Sequence, residues 1–197
     1  MSKYIGGDHY KYPGTEVLIN KADLRTQDDL DAFEADATAI RLLELMERPI
    51  AGVFNLSHLQ AIHRHIFQDV YGWAGELRQA DIQKGGSHFG NWGLFPKYLT
   101  KVLDNVSKEN FLQNLTPEAF IARLAHFMSE INAAHPFIEG NGRSQRAFCS
   151  QLADQAGYFV DFGLVEQEEM ISVMIASFNG NEDPLAKVLE RITAIIE

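Results

Sequence analysis

The chain has 197 residues, 46% of them hydrophobic and 22% charged, which is enough apolar content for a sizeable core and too little charge for wholesale disorder. Its formal net charge of −10 disfavours nucleic acid and anionic membrane as main partners, so a phosphate-bearing ligand must be met by positive charge gathered in one place. Cys149 is the single cysteine, which excludes an intrachain disulfide, and no run of ~18 apolar residues marks a membrane span. The opening MSKYIGGDHYKYPG lacks an apolar stretch, so no signal peptide is expected and a cytoplasmic location is.

Residues 1–25, with Tyr10, Tyr12, Pro13 and Gly14, read as an irregular arm. Thr26 then caps a helix with Leu30, Phe33, Ala37, Ile40 and Leu43 on one face and Pro49 beyond its end. Ser57 and Gln60 form a capping-box pattern for a second helix, through Leu59, Ile62, Ile66 and Val70 to a stop at Gly72. Residues 78–91, RQADIQKGGSHFGN, break the helical period: alternation around Ala80 and Ile82, the Gly85-Gly86 turn and then Phe89 predict a short β-hairpin. Pro96 opens the next helix, with Leu99, Val102 and Leu103 inward. Thr116-Pro117 opens another, through Phe120, Leu124, Phe127 and Ile131 towards Ala134. A further helix follows Gly142 and stops at Gly157, and two more occupy about 165–178 and 184 to the end. The expected fold is mainly α, a single domain over residues 1–197, with the small hairpin projecting from it.

The chemistry gathers in residues 135–146, HPFIEGNGRSQR. Pro136 prevents the preceding helix from continuing past His135. Gly140 and Gly142 flank Asn141 and permit a tight turn in which several N–H groups face one hollow. The helix that follows offers its free amides and dipole to an anion, and Arg143 and Arg146, three apart, share a face. Two guanidinium forks beside a nest of amides suit a polyphosphate. Glu139 is the acid placed to hold a magnesium ion, and His135 is the group there able to act as a base near neutral pH. Taken singly, each has a plain alternative, as a capped helix end, a turn, a solvated face or a surface ion pair; a plain turn has no need of all five together.

This segment resembles the signature of the Fic family, H-x-F-x-(D/E)-G-N-G-R-x-x-R, with every fixed position filled. YPGTEVLINK near the start, IHRHIFQDVYGWAGELR (62–78) and DIQKGGSHFGN (81–91) are also similar to Fic-domain segments, so the likeness covers nearly the whole chain. The resemblance implies a protein adenylyltransferase that moves AMP from ATP to a hydroxyl of a target protein. It assigns His135 as general base, Phe137 as the aromatic that packs the loop, and Glu139 as the Mg²⁺ ligand. Asn141 with the amides of Gly140 and Gly142 becomes the anion hole, and Arg143 and Arg146 the grip on the β- and γ-phosphates. Residues 81–91 become the flap that holds the target segment by strand pairing, and Lys84 and Gly85 line the nucleotide pocket. Glycine at 142, where the phosphate-transferring Doc-like branch has lysine, favours AMP transfer. A transferase of the same fold moving UMP or phosphocholine, or a non-catalytic nucleotide-binding module, is the alternative; an intact His135 argues against the module, since a binder needs no base.

Many Fic proteins are inhibited by a helix of pattern (S/T)-x-x-x-E-(G/N), whose glutamate pairs with the second motif arginine. Here Thr193 and Glu197 have that spacing, but no Gly or Asn follows, and the stretch reads as the last turn of an amphipathic helix. The resemblance therefore implies the toxin subclass whose inhibitory helix sits on a separate small antitoxin, and it points to type II topoisomerase subunits as targets. Elsewhere, His63 and His65 lack metal-site spacing, His126 with Glu130 reads as a helix-surface contact, and Cys149 reads as a buried thiol.

Overall fold

The computed structural model describes residues 5–84 and 86–196. Its helices are α1 (Gln27–Glu47), α2 (Leu56–Phe67), α3 (Phe95–Lys108), α4 (Pro117–Ala134), α5 (Asn141–Ala156), α6 (Gln167–Phe178) and α7 (Asp183–Ile192). The architecture is mainly α, as the periodicity predicts, with two small antiparallel sheets.

Local signals explain most boundaries. The Thr26 hydroxyl accepts the Asp29 N–H at 3.3 Å, and the Thr116 hydroxyl that of Ala119 at 3.3 Å. At the other end, Gly157 stops α5 in the left-handed region with φ +89°. α2 departs from expectation: Asn55 is its cap, taking the His58 N–H at 3.0 Å, which leaves Ser57 inside the first turn, and the helix ends at Phe67, short of Gly72. α1 keeps Leu30, Phe33 and Ala37 of the expected face against the core but departs from it further along. Ile40 and Leu43 are exposed, whereas Leu30, Glu34, Thr38 and Leu45 are buried, because two of these polar side chains find partners inside.

α4 and α5 occupy the centre, α5 packing on α2 and α4, and α4 on α3, α6 and α7. Leu124, Phe127, Phe148 and Leu152 are fully covered and join Leu59, Ile66, Leu99 and Leu189 in one core cluster. Burying both helices that flank residues 135–140 is what fixes that loop.

β1 (Gln83–Lys84) and β2 (Ser87–His88) form the expected hairpin, with Gln83 opposite His88 and Lys84 opposite Ser87. A second pair, β3 (Tyr158–Val160) and β4 (Thr193–Ile195), was not expected. Thr193, read from sequence as helical, has extended backbone (φ −105°, ψ 133°), and the β-branched residues around it suit a strand. The Thr193-to-Glu197 spacing therefore does not fall on a helix, and Glu197 itself lies outside the described residues. Ahead of α1, Ile5 bridges Gln83, Lys11 bridges Leu18, and the buried Tyr12 donates its hydroxyl to the Asn20 carbonyl at 3.2 Å. No helix among the described residues is long and apolar enough to cross a membrane.

Candidate active site

α4 ends at His135, whose left-handed backbone (φ 47°, ψ 63°) caps the helix while its N–H still reaches the Ile131 carbonyl at 2.9 Å. The imidazole lies face to face with Phe89 of the hairpin, centroids 3.8 Å apart and 17° from parallel, and Phe178 of α6 backs Phe89 edge-on at 5.6 Å. Nδ1 stands 3.1 Å from the Asn132 carbonyl. A carbonyl only accepts, so Nδ1 carries the hydrogen and Nε2 the lone pair. Burial first, then the charges of Arg78 and Lys84, push the pKa down to about 3 against the opposing Asn132 bond. The ring is thus neutral at physiological pH with its lone pair on a defined atom.

The loop after His135 is held by residues distant in sequence. Phe137 is fully buried and stacks on His63 at 3.8 Å. His63 Nδ1 accepts the Gly75 N–H at 2.8 Å, so Nε2 carries the hydrogen and donates to the Glu139 carbonyl at 3.0 Å. Burial drives the His63 pKa down to about 3, which keeps that neutral ring in place. Asn141 closes the loop from the far side: its Oδ1 accepts the Phe137 N–H at 2.9 Å, and its Nδ2 donates to the Phe137 carbonyl at 2.7 Å. With the side chain so oriented, Asn141 keeps its backbone N–H and the second Nδ2 hydrogen as donors.

Gly140 caps α5 with φ +80°, and a Cβ there would stand 2.1 Å from Phe67 Cζ. The first amides of α5, at Asn141, Gly142 and Arg143, have no intrahelical acceptor and sit at the positive end of a 16-residue helix. Gly140→Ala is expected to destabilise the fold by about 2–5 kcal/mol, from overpacking plus left-handed strain. Gly180→Ala is the control, since Gly180 has φ +87° with open space around it. Urea midpoints that fall equally in the two variants would remove the packing argument.

The two arginines of α5 differ in state. Arg143 donates from Nη2 to Glu34 Oε1 at 2.6 Å and from Nη1 to the Thr38 hydroxyl at 3.1 Å, with its guanidinium 4.6 Å above the Phe67 ring. Arg146 is half-buried and has no ion-pair or hydrogen-bond partner among the described residues; burial, then the charge of Arg143, lowers its pKa. A desolvated cation beside a like charge is a site for an anion. Glu139 Oε1 accepts the Gly140 N–H at 2.9 Å and lies 3.5 Å from Arg143 Nη2. A carboxylate at the rim of an anion nest fits a hard, oxygen-seeking cation such as Mg²⁺, which takes one or two carboxylates and completes its shell with phosphate and water.

Arg78 carries an assembly role that sequence reading missed. Its side chain is wholly covered, and it donates from Nε to the His135 carbonyl at 2.7 Å, from Nη1 to Ala80 at 2.5 Å, and from Nη2 to Ala134 at 3.0 Å and to Gly90. Two of these carbonyls belong to the negative end of α4, which compensates the charge; burial still lowers the arginine's pKa to about 10. Arg78 thereby ties the hairpin to the loop. Its signal in sequence was weak, a single arginine ahead of the hairpin. Lys84, on β1, comes near enough to His135 to act on its charge, while Gly85 lies outside the described residues.

A neutral buried imidazole, the free first amides of α5 and an arginine without a partner among the described residues are thus gathered where α4 gives way to α5 in a helical domain. Residues 53–153 match the model of the Fic/DOC family. The chain is 38% identical over 192 residues to the protein adenylyltransferase VbhT of Bartonella schoenbuchensis, covering 97% of this chain but 40% of VbhT. It is 37% identical over 186 residues to the probable protein adenylyltransferase y4lH of Sinorhizobium fredii, covering 92% of this chain and 93% of that protein. Among solved structures, the N-terminal Fic domain of a putative cell filamentation protein from Bartonella quintana, with bound ADP, superposes with a TM-score of 0.90 at 28% identity, covering 96% of each chain. This chain belongs to the Fic/DOC family.

Proposed function

We propose that the chain is a protein adenylyltransferase, moving AMP from ATP to a hydroxyl side chain of a protein. The observation that carries this reading is that the neutral His135, the open amides of α5 and Arg146, which has no partner among the described residues, all fall within residues 135–146. His135 Nε2 takes the proton of the target hydroxyl, the oxygen attacks the α-phosphorus, the bond to the bridging oxygen breaks, and pyrophosphate leaves on the arginine side. The α5 amides and Arg146 stabilise charge on the phosphates, so positioning and electrostatics supply most of the rate. Glu139 would hold Mg²⁺, which supplies neutralisation of phosphate charge. The hairpin β1–β2 holds the target segment by strand addition, and Lys84 faces the nucleotide.

A partner of antitoxin type fits the groove of about 380 Å³ beside Arg146, walled by Leu42, Leu45 and Met46 of α1 and by Ala147 and Gln151 of α5. An amphipathic helix laid there would bring a glutamate to Arg146 in place of the γ-phosphate. Type II topoisomerase subunits are the targets to try first.

The test is incubation of the chain, Mg²⁺ and candidate targets with ATP labelled at either the α- or the γ-phosphate, followed by mass spectrometry. The α-label should appear on a serine, threonine or tyrosine hydroxyl and the γ-label should not. Transfer of the γ-label instead would replace this reading with phosphate transfer. Glu139→Ala should raise the Mg²⁺ concentration for half-maximal transfer at least about tenfold; an unchanged titration would place the metal elsewhere.

A further inference from the structure

The motif explains why Arg143 is present but not why a buried glutamate from α1 is clamped to it. We propose that Glu34 is a positioning residue that draws Arg143 away from Glu139 and so keeps the Glu139 carboxylate available to the divalent cation, an inference that rests on the adenylyl-transfer reading above.

Glu34 is 4% exposed, and each of its oxygens has one donor: Arg143 Nη2 at 2.6 Å on Oε1, and the Tyr71 hydroxyl on Oε2. One turn along α1, the Thr38 hydroxyl accepts from Arg143 Nη1 at 3.1 Å and donates to the Glu34 carbonyl at 2.7 Å. α1 therefore grips the guanidinium at both terminal nitrogens. The same Nη2 lies 3.5 Å from Glu139 Oε1, so two carboxylates share one guanidinium nitrogen and Glu34 holds it closer by 0.9 Å. Both carboxylates and Tyr71 line one hollow, whose walls also carry Lys11, Glu16 and Asp31, and because Glu34 and Glu139 are themselves largely covered, at 4% and 9% exposure, solvent screens the pair of them less than it would at the surface. Without the charge on Glu34, Arg143 closes on Glu139, and a cation then has to displace a charge-assisted pair.

The experiment compares wild type with Glu34→Gln and Tyr71→Phe. Gln keeps the shape of the side chain and the Tyr71 contact but loses the charge; Phe removes the other half of the clamp and leaves the Glu34–Arg143 pair. Three readouts are taken: the Mg²⁺ concentration for half-maximal transfer, Mn²⁺ binding in the presence of ATP by electron paramagnetic resonance, and the crystal structure of Glu34→Gln. Glu34→Gln should weaken both metal measures about tenfold or more, with Arg143 found on Glu139. Tyr71→Phe should lower thermal stability and leave metal dependence at the wild-type value. Wild-type metal affinity in Glu34→Gln, or an equal shift in Tyr71→Phe, overturns the proposal. If Glu34→Gln does not fold, Glu34→Asp takes its place, and a smaller weakening of Mn²⁺ binding is expected; none overturns the proposal. If the wild-type chain transfers no AMP, the functional reading falls, while the Mn²⁺ and crystallographic arms still decide whether Glu34 holds Arg143 off Glu139.

Discussion

His135→Ala is expected to lower AMP transfer by about 10²- to 10⁴-fold while leaving ATP binding close to wild type. Two features support so large an effect. The Asn132 carbonyl fixes the hydrogen on Nδ1, so that Nε2 is the one basic atom, and burial keeps that ring unprotonated at physiological pH. The amides of α5 and Arg146, which hold phosphate in this reading, belong to different residues and do not depend on the imidazole. Steady-state transfer rates set beside calorimetric ATP affinity check the prediction. Transfer by the alanine variant at near wild-type rate would remove His135 as the base, and loss of ATP binding in step with activity would make it a ligand contact instead.

Arg78→Ala should be strongly destabilising, by about 3–5 kcal/mol. Truncation leaves four carbonyls, of Ala80, Gly90, Ala134 and His135, without their donor in a covered site, and it opens space beneath the Phe95 ring, over which the guanidinium lies at 4.6 Å. For a chain of this length the midpoint of thermal unfolding should fall by about 10 °C. Arg78→Lys should recover only part of the loss, because an ammonium has three donors and no planar fork. Thermal and urea unfolding test this; a fall of less than about 1 kcal/mol would mean that water replaces the guanidinium and that the hairpin is anchored otherwise. The Asp81 carboxylate, which accepts from the Asn91 side chain at 3.0 Å and the Trp92 N–H at 2.8 Å, is the next candidate for that anchor.

What sequence revealed follows from how local each interaction is. Residues 135–146 carry their chemistry within a dozen positions, and the caps Thr26 and Thr116 act three residues ahead, so a linear reading finds them. The supports of the same site do not announce themselves. His63 reaches Glu139 across 76 positions, Arg78 reaches His135 across 57, and Glu34 reaches Arg143 across 109. Glu34 and Thr38 also misled the reading of α1, since a hydrophobic face is sought by apolar residues, and this one buries two polar side chains that Arg143 satisfies. The β3–β4 pair failed for a similar reason: strands of three residues, more than thirty positions apart, leave no period to detect. Glu34 and Thr38 at helical spacing with Leu30 were the one available hint of a polar partner inside.

The bridge between Ile5 and Gln83 bears on which proteins can be modified. Its two main-chain bonds, at 2.9 and 3.1 Å, take up the outer edge of β1, and Gly6 (φ +106°), where a Cβ would strike the Asp81 carbonyl at 2.2 Å, lets the arm pass that closely. Among the described residues no strand lies along the outer edge of β2, so under the adenylyl-transfer proposal a visiting peptide would dock beside Ser87–His88 and approach from one side. An edge two residues long reads amides and carbonyls, which every chain has, and hardly any side chain. Selection then passes to the visitor: the modified hydroxyl will sit on whichever of its loops peels away most readily into an extended form, and local unfolding free energies, measured by hydrogen exchange on a target alone, should rank its hydroxyls better than any consensus motif.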